Sequence, residues 1–95
     1  RKTAEEKVAS FLYMLARRSL LTGCVHKSPP GTAAFELPLT RSDMADYLGL
    51  TIETVSRQLT RLKTSNVVRL NTNRLIMVPD LDRLAQAAGQ DNHRH

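Results

Sequence analysis

A mainly helical fold with a small β component (α+β) follows from three features of this 95-residue sequence. Apolar residues recur at helical spacing in separate stretches. Two of those stretches stand back to back across Gly49-Leu50, and after Ser65-Asn66 the period turns from helical to extended.

In the first stretch, Val8, Phe11, Leu12 and Leu15 fall at i, i+3, i+4 and i+7, which predicts a helix over residues 3–19 with one apolar face. It opens abruptly in "RKTAEEK", where Glu5 and Glu6 place negative charge in the first turn, favourable to the helix dipole. "TGCVHKSPPGTAA" then breaks regular structure with Gly23, Pro29, Pro30 and Gly31 and reads as an exposed loop. "AFELPL" alternates well enough for a short strand at about residues 35–38, with Pro38 pointing to a sheet edge.

Thr40 is placed to cap the next helix, residues 41–48, with Asp43 in the capping-box position and Met44, Ala45 and Leu48 on the inner face. Gly49 supplies the left-handed residue that a tight turn between helices needs. Thr51 caps a further helix, residues 52–64, whose stripe Ile52, Val55, Leu59 and Leu62 is expected to be buried. At about 100° per residue, Glu53, Ser56, Arg57, Thr60 and Arg61 gather on the opposite side. "VVRL", "NTN" and "RLIMV" predict a hairpin over residues 67–78, with Leu70, Leu75 and Met77 expected to pack inward. Asp80 caps a short last helix, residues 80–88, carrying Leu84 and Ala87, and Gly89 stops it. Residues 1–90 thus form one domain and residues 91–95 a frayed tail.

The chain has 14 Lys+Arg against 9 Asp+Glu, a formal net charge of +5 that favours an acidic partner. A lone cysteine, Cys24, excludes an intrachain disulfide and suits a reducing cytoplasm. No apolar run reaches the roughly 20 residues of a membrane helix, and no signal-peptide layout opens the sequence. A soluble cytoplasmic domain is therefore expected, without membrane contact.

Two helices joined by a short turn and followed by a β-hairpin form a winged helix-turn-helix. In that arrangement the second helix suits the DNA major groove, while flanking parts fix register on phosphates. On its outer face, Arg57 can grip the two acceptors of guanine, Glu53 can accept from a cytosine amino group, and Ser56 can approach bases or thymine methyls. Arg41 and Ser42 begin one helix, and Thr51 and Thr54 the next, where free backbone N–H groups favour an anion. Thr60, Arg61 and Lys63, with Arg69, Asn73 and Arg74 of the wing, complete the backbone-contact candidates.

"TRSDMADYLGLTIETVSRQLTRL" resembles the helix-turn-helix of the Crp/Fnr superfamily of bacterial transcription factors, and "LGLTIETVSR" is similar to its Fnr and FixK branches in particular. In those branches an E-x-x-S-R pattern reads a TTGA-type half-site, and Glu53, Ser56 and Arg57 stand in its three places. The Crp branch has Arg before the Glu and Gly in place of the Ser; here Ile52 and Ser56 occupy those positions. The resemblance extends to "AEEKVASFLYMLARRS", the wing "VVRLNTNRLIMV" and the last helix "DLDRLAQAAG". It implies double-stranded DNA as partner, contact with RNA polymerase through the loop Lys27 to Ala34, and homodimerisation through an N-terminal part lying outside this chain. No cofactor or metal is implied in this domain, since the Fnr iron-sulfur cysteines lie outside the matched region and Cys24 does not stand in for them.

Simpler roles compete for each residue. Glu53 alone would be a first-turn acid favoured by the dipole, and Arg57 or Ser56 alone an ordinary surface residue. Cys24 and His26 form only half a metal site, and a catalytic pair would need a third, orienting group, so no catalytic residues are expected. A winged helix that binds protein without reading bases is the main rival. It calls for an apolar outer face on the second helix, whereas this one is polar.

Overall fold

The computed structural model describes residues 3–22, 33–70 and 75–89. In chain order these form α1 (Ala4–Thr22), β1 (Ala33–Glu36), α2 (Arg41–Leu48), α3 (Ile52–Thr64), β2 (Arg69–Leu70), β3 (Leu75–Val78) and α4 (Leu81–Ala87). Cys24, His26, Lys27, Asn73, Arg74, His93 and His95 lie outside the described residues.

α1 starts from a cap that the sequence carries in the pattern Thr-x-x-Glu. The Glu6 amide donates to Thr3 Oγ1 at 3.1 Å, and the Thr3 amide donates to Glu6 Oε1 at 2.9 Å. This reciprocal capping box satisfies two N–H groups that helix geometry leaves without partners. The helix buries Val8, Phe11 and Leu12 as expected, while Leu15 is only partly covered. It runs to Thr22, three residues beyond the expected end, because residues 20–22 hold no helix breaker before Gly23. Ala33, assigned from the sequence to the preceding loop, and Ala34, which opens "AFELPL", both belong to β1.

The sheet is antiparallel in the order β1-β3-β2. β1 is an edge strand, as Pro38 suggested, yet it ends at Glu36 opposite Leu75 and lies two residues earlier than expected. Pro38 stands outside it, consistent with a residue that has no N–H to give a ladder. In β3 the inward residues are Ile76 and Val78, whereas Leu75 and Met77 are half-exposed, contrary to the expected parity. "RLIMV" holds no internal polar alternation, so its parity comes from the partner strand. Arg69 sits opposite Met77, and Leu70, packed on the core, sits opposite Ile76.

One apolar core joins α1, the sheet and the remaining helices, with Leu12, Met44, Leu59, Leu62, Ile76 and Leu84 among its largest enclosed side chains. Each such burial contributes about 1.5–3 kcal/mol relative to exposure. Gln58 is the polar exception on α3: its Oε1 has no hydrogen-bond partner among the described residues.

α2 and α3 end in the same way. The Gly49 amide donates to the Asp46 carbonyl at 3.4 Å and Leu50 to Ala45 at 2.8 Å; Asn66 donates to Lys63 at 3.0 Å and Val67 to Leu62 at 2.9 Å. Both are Schellman motifs, with Gly49 at φ 72° and Asn66 at φ 63° in the left-handed region. Asn tolerates that conformation better than other residues with a Cβ.

Two stability predictions follow from these positions. Asn66→Ala should lose about 1 kcal/mol in urea unfolding while Asn66→Gly loses none, because only the former adds left-handed strain without a side chain suited to it. Gln58→Leu should gain about 1 kcal/mol by removing a buried acceptor, read as a higher unfolding midpoint.

Candidate nucleic-acid interface

The helix-turn-helix is built by capping at each corner. Thr40 Oγ1 accepts from the Asp43 amide at 3.1 Å and starts α2; the Gly49 turn reverses the chain; Thr51 Oγ1 accepts from the Thr54 amide at 3.1 Å and starts α3. Thr51 and Thr54 also share a hydrogen bond between their hydroxyls at 2.8 Å. Their oxygens thus rigidify the turn. The helix geometry leaves the first amides of α2, at Arg41 and Ser42, and of α3, at Ile52 and Glu53, without intrahelical acceptors. Ser42 is exposed and Arg41 half-buried.

The 13 residues of α3 span about 20 Å. Its buried stripe is Val55, Gln58, Leu59 and Leu62. Glu53, Arg57, Thr60, Arg61 and Lys63 are exposed, and Ser56 is half-buried. The structure therefore brings the three expected base readers together on the outward side of the first half of the helix, away from the core.

Ile52 departs from the expected stripe and is 51% exposed. At 100° per residue it lies about 70° from the centre of the buried stripe, in a first turn that precedes the helix's contact with the core at Val55. It shares a flank with Ser56, one turn on, and gives the outward surface an apolar edge. Sequence spacing alone had linked it to Val55; the useful signal was its place beside the cap, before any buried residue. An exposed β-branched side chain there is suited to a thymine methyl.

Thr60 Oγ1 donates its hydrogen to the Ser56 carbonyl at 2.9 Å, so in this conformation the hydroxyl offers an outside partner only an acceptor. Arg61 and Lys63 provide exposed cations in the last turn, and Arg69 extends the basic surface onto β2. Tyr47, 67% exposed at the end of α2, rests its ring against Phe11 with centroids 5.4 Å apart.

The described residues contain no group of three or more His, Cys, Asp or Glu side chains able to hold a metal ion, and no helix long and apolar enough to cross a membrane.

A family model described as the Crp-like helix-turn-helix domain matches residues 6–87. The transcriptional activator protein FnrL of Cereibacter sphaeroides is 50% identical over 92 residues, covering 97% of this chain and 36% of that protein. The nitrogen fixation regulation protein FixK of Azorhizobium caulinodans is 46% identical over 80 residues, covering 84% of this chain and 30% of that protein. The chain thus spans about a third of the length of these curated relatives. The solved structure of FixK2 from Bradyrhizobium japonicum superposes with a TM-score of 0.71 at 37% identity, covering 100% of this chain and 41% of that one. With four helices, a three-stranded antiparallel sheet and a helix-turn-helix among its described residues, the chain belongs to the Crp/Fnr superfamily as a winged helix-turn-helix DNA-binding domain of FixK-like type.

Proposed function

We propose that this domain reads a TTGA-type half-site of an inverted repeat, with α3 in the major groove. The observation that carries the reading is the outward grouping of Glu53, Ser56 and Arg57 in the first half of α3, backed by a fully apolar or buried opposite face. Arg57 donates to guanine O6 and N7, Glu53 accepts from a cytosine amino group, and Ile52 with Ser56 meets a thymine methyl. The amides at the starts of α2 and α3 hold phosphates, joined by Arg41, Ser42, Thr51 and Thr54. Arg61, Lys63 and Arg69 supply cations along the backbone, and Asn73 and Arg74 extend the wing contact.

The parent protein would be a cytoplasmic transcription regulator that pairs as a homodimer through a part outside this chain, each protomer taking one half-site. The names of its relatives support that role, FnrL being called a transcriptional activator and FixK a regulation protein. RNA polymerase is the partner proposed for the segment from Lys27 to Ala34. No catalytic step or cofactor is assigned to the domain.

The test is a fluorescence-anisotropy panel of duplexes carrying every single substitution in a TTGA inverted repeat. Wild type should prefer the parent repeat. Glu53→Ala should flatten preference at one base pair, and Arg57→Ala should lose about 1–3 kcal/mol of discrimination at another. Equal loss on all sequences would remove Glu53 from base reading, and a wild type indifferent to the whole panel would sink the half-site assignment.

Salt provides a separate check on the backbone cations. Lys63→Ala and Arg69→Ala should each weaken all duplexes alike and reduce the slope of log K against log salt by about 0.9. A changed base preference with an unchanged slope would contradict their assignment to phosphates.

A further inference from the structure

α3 is also held from outside its motif. Arg83 of α4 donates from Nη2 to the Ser65 carbonyl at 3.1 Å. Ser65 is the C-cap of α3, so its carbonyl lies at the negative end of the helix dipole, among groups that helix geometry leaves unpaired. Two cations, Arg61 and Lys63, already stand in that last turn. What Arg83 adds is therefore a directional bond to backbone from a separate helix.

That helix is itself fixed. Leu84, Ala85 and Ala88 are buried, and Ser10 Oγ of α1 donates to the Ala88 carbonyl at 3.1 Å. The end of α4 approaches the start of α1 closely enough that a Cβ on Gly89 would come within 2.9 Å of Glu6 Oε2. α1 in turn packs against α3. The guanidinium closes a circuit running from α1 through α3 and α4 back to α1. The point it grips is where the chain leaves α3 for the wing, through left-handed Asn66 and buried Val67 and Val68 to Arg69.

We propose that Arg83 is a positioning residue for DNA reading: by holding the Ser65 carbonyl it fixes the angle between α3 and the wing, so that base contacts and wing contacts are made in register. A specific complex needs both sets at once and loses affinity when the junction turns freely. A non-specific complex accepts many orientations and does not. The inference rests on α3 and the wing meeting DNA together, and is independent of which half-site is read.

The experiment uses a duplex selected by the wild-type chain from a randomised pool, with a scrambled duplex of equal length, titrated across a salt series. Circular dichroism confirms that each variant is folded. Arg83→Ala should weaken the selected duplex by roughly threefold to tenfold, the range spanned by one hydrogen bond's net free energy, and leave the scrambled duplex and the salt slope nearly unchanged. Arg83→Lys, which keeps a donor at nearly the same reach, should retain more of the selected-duplex affinity than Arg83→Ala. Equal weakening on both duplexes with a slope reduced by about 0.9 would make Arg83 a phosphate contact and overturn the proposal. Unchanged affinity in the folded Ala variant, or a Lys variant as weak as Ala, would overturn it equally. A TTGA duplex failing in the earlier panel leaves this test intact, because its duplex is chosen by selection.

Discussion

Everything the domain presents to a partner depends on burying one stripe of α3. Val55, Leu59 and Leu62 are almost fully enclosed, and together their burial is worth several kcal/mol at about 1.5–3 kcal/mol each. Helical geometry then decides the rest: with those residues inward, Glu53 and Arg57 have only the outward side available. The packing does not choose which polar residues stand there. It fixes where any such residues must point.

The capping chemistry serves the same end at lower energetic stakes. Thr40, Gly49 and Thr51 set the start of α2, the reversal and the start of α3, while Asn66 releases the chain toward the wing. Each is worth about 1 kcal/mol, small beside the core, yet together they determine the angle at which a well-packed α3 stands to its neighbours. A pocket lined by Phe11, Met14, Tyr47 and Leu48 remains open on the α1 and α2 side, whereas Val55, Leu59 and Leu62 on the α3 side are enclosed.

The helix-turn-helix was legible because its signals are local. Thr40, Gly49 and Thr51 each announce a backbone conformation through their own side chain or lack of one, and α2 and α3 occupy the expected residues. The Thr3 and Glu6 cap is equally local and is carried by Thr-x-x-Glu, although Glu6 also suits the first turn simply as a dipole charge. What was not legible was relational. Ile76 and Val78 face inward because of how β3 registers against Arg69 and Leu70, and five consecutive residues of "RLIMV" cannot disclose that. Ile52 shows the same limit in a helix, since periodicity gives an angular position but not where along the axis the core begins. For the candidate site, the outward grouping of Glu53, Ser56 and Arg57 followed from spacing, whereas Arg83 meets α3 across 18 residues of sequence.

Glu53 shows how these levels combine. A carboxylate in a basic domain is unfavourable beside phosphate, and no packing requirement holds it at an exposed position. Two features make the position tolerable: the first turn of α3, where the helix dipole favours an acid, and Arg57 four residues on along the same outward side. In the proposed orientation the charge acts chiefly by exclusion. Where a base offers an amino group, the carboxylate is paired; where it offers a carbonyl, two acceptors meet in a desolvated groove, and the unmet group costs about 1–3 kcal/mol or more for a charge. An alanine there would relieve that repulsion along with losing the bond, so affinity and selectivity respond differently to its removal. Selectivity of this kind requires a carboxylate held facing the base edges, and so a helix anchored by Val55, Leu59 and Leu62 beneath it.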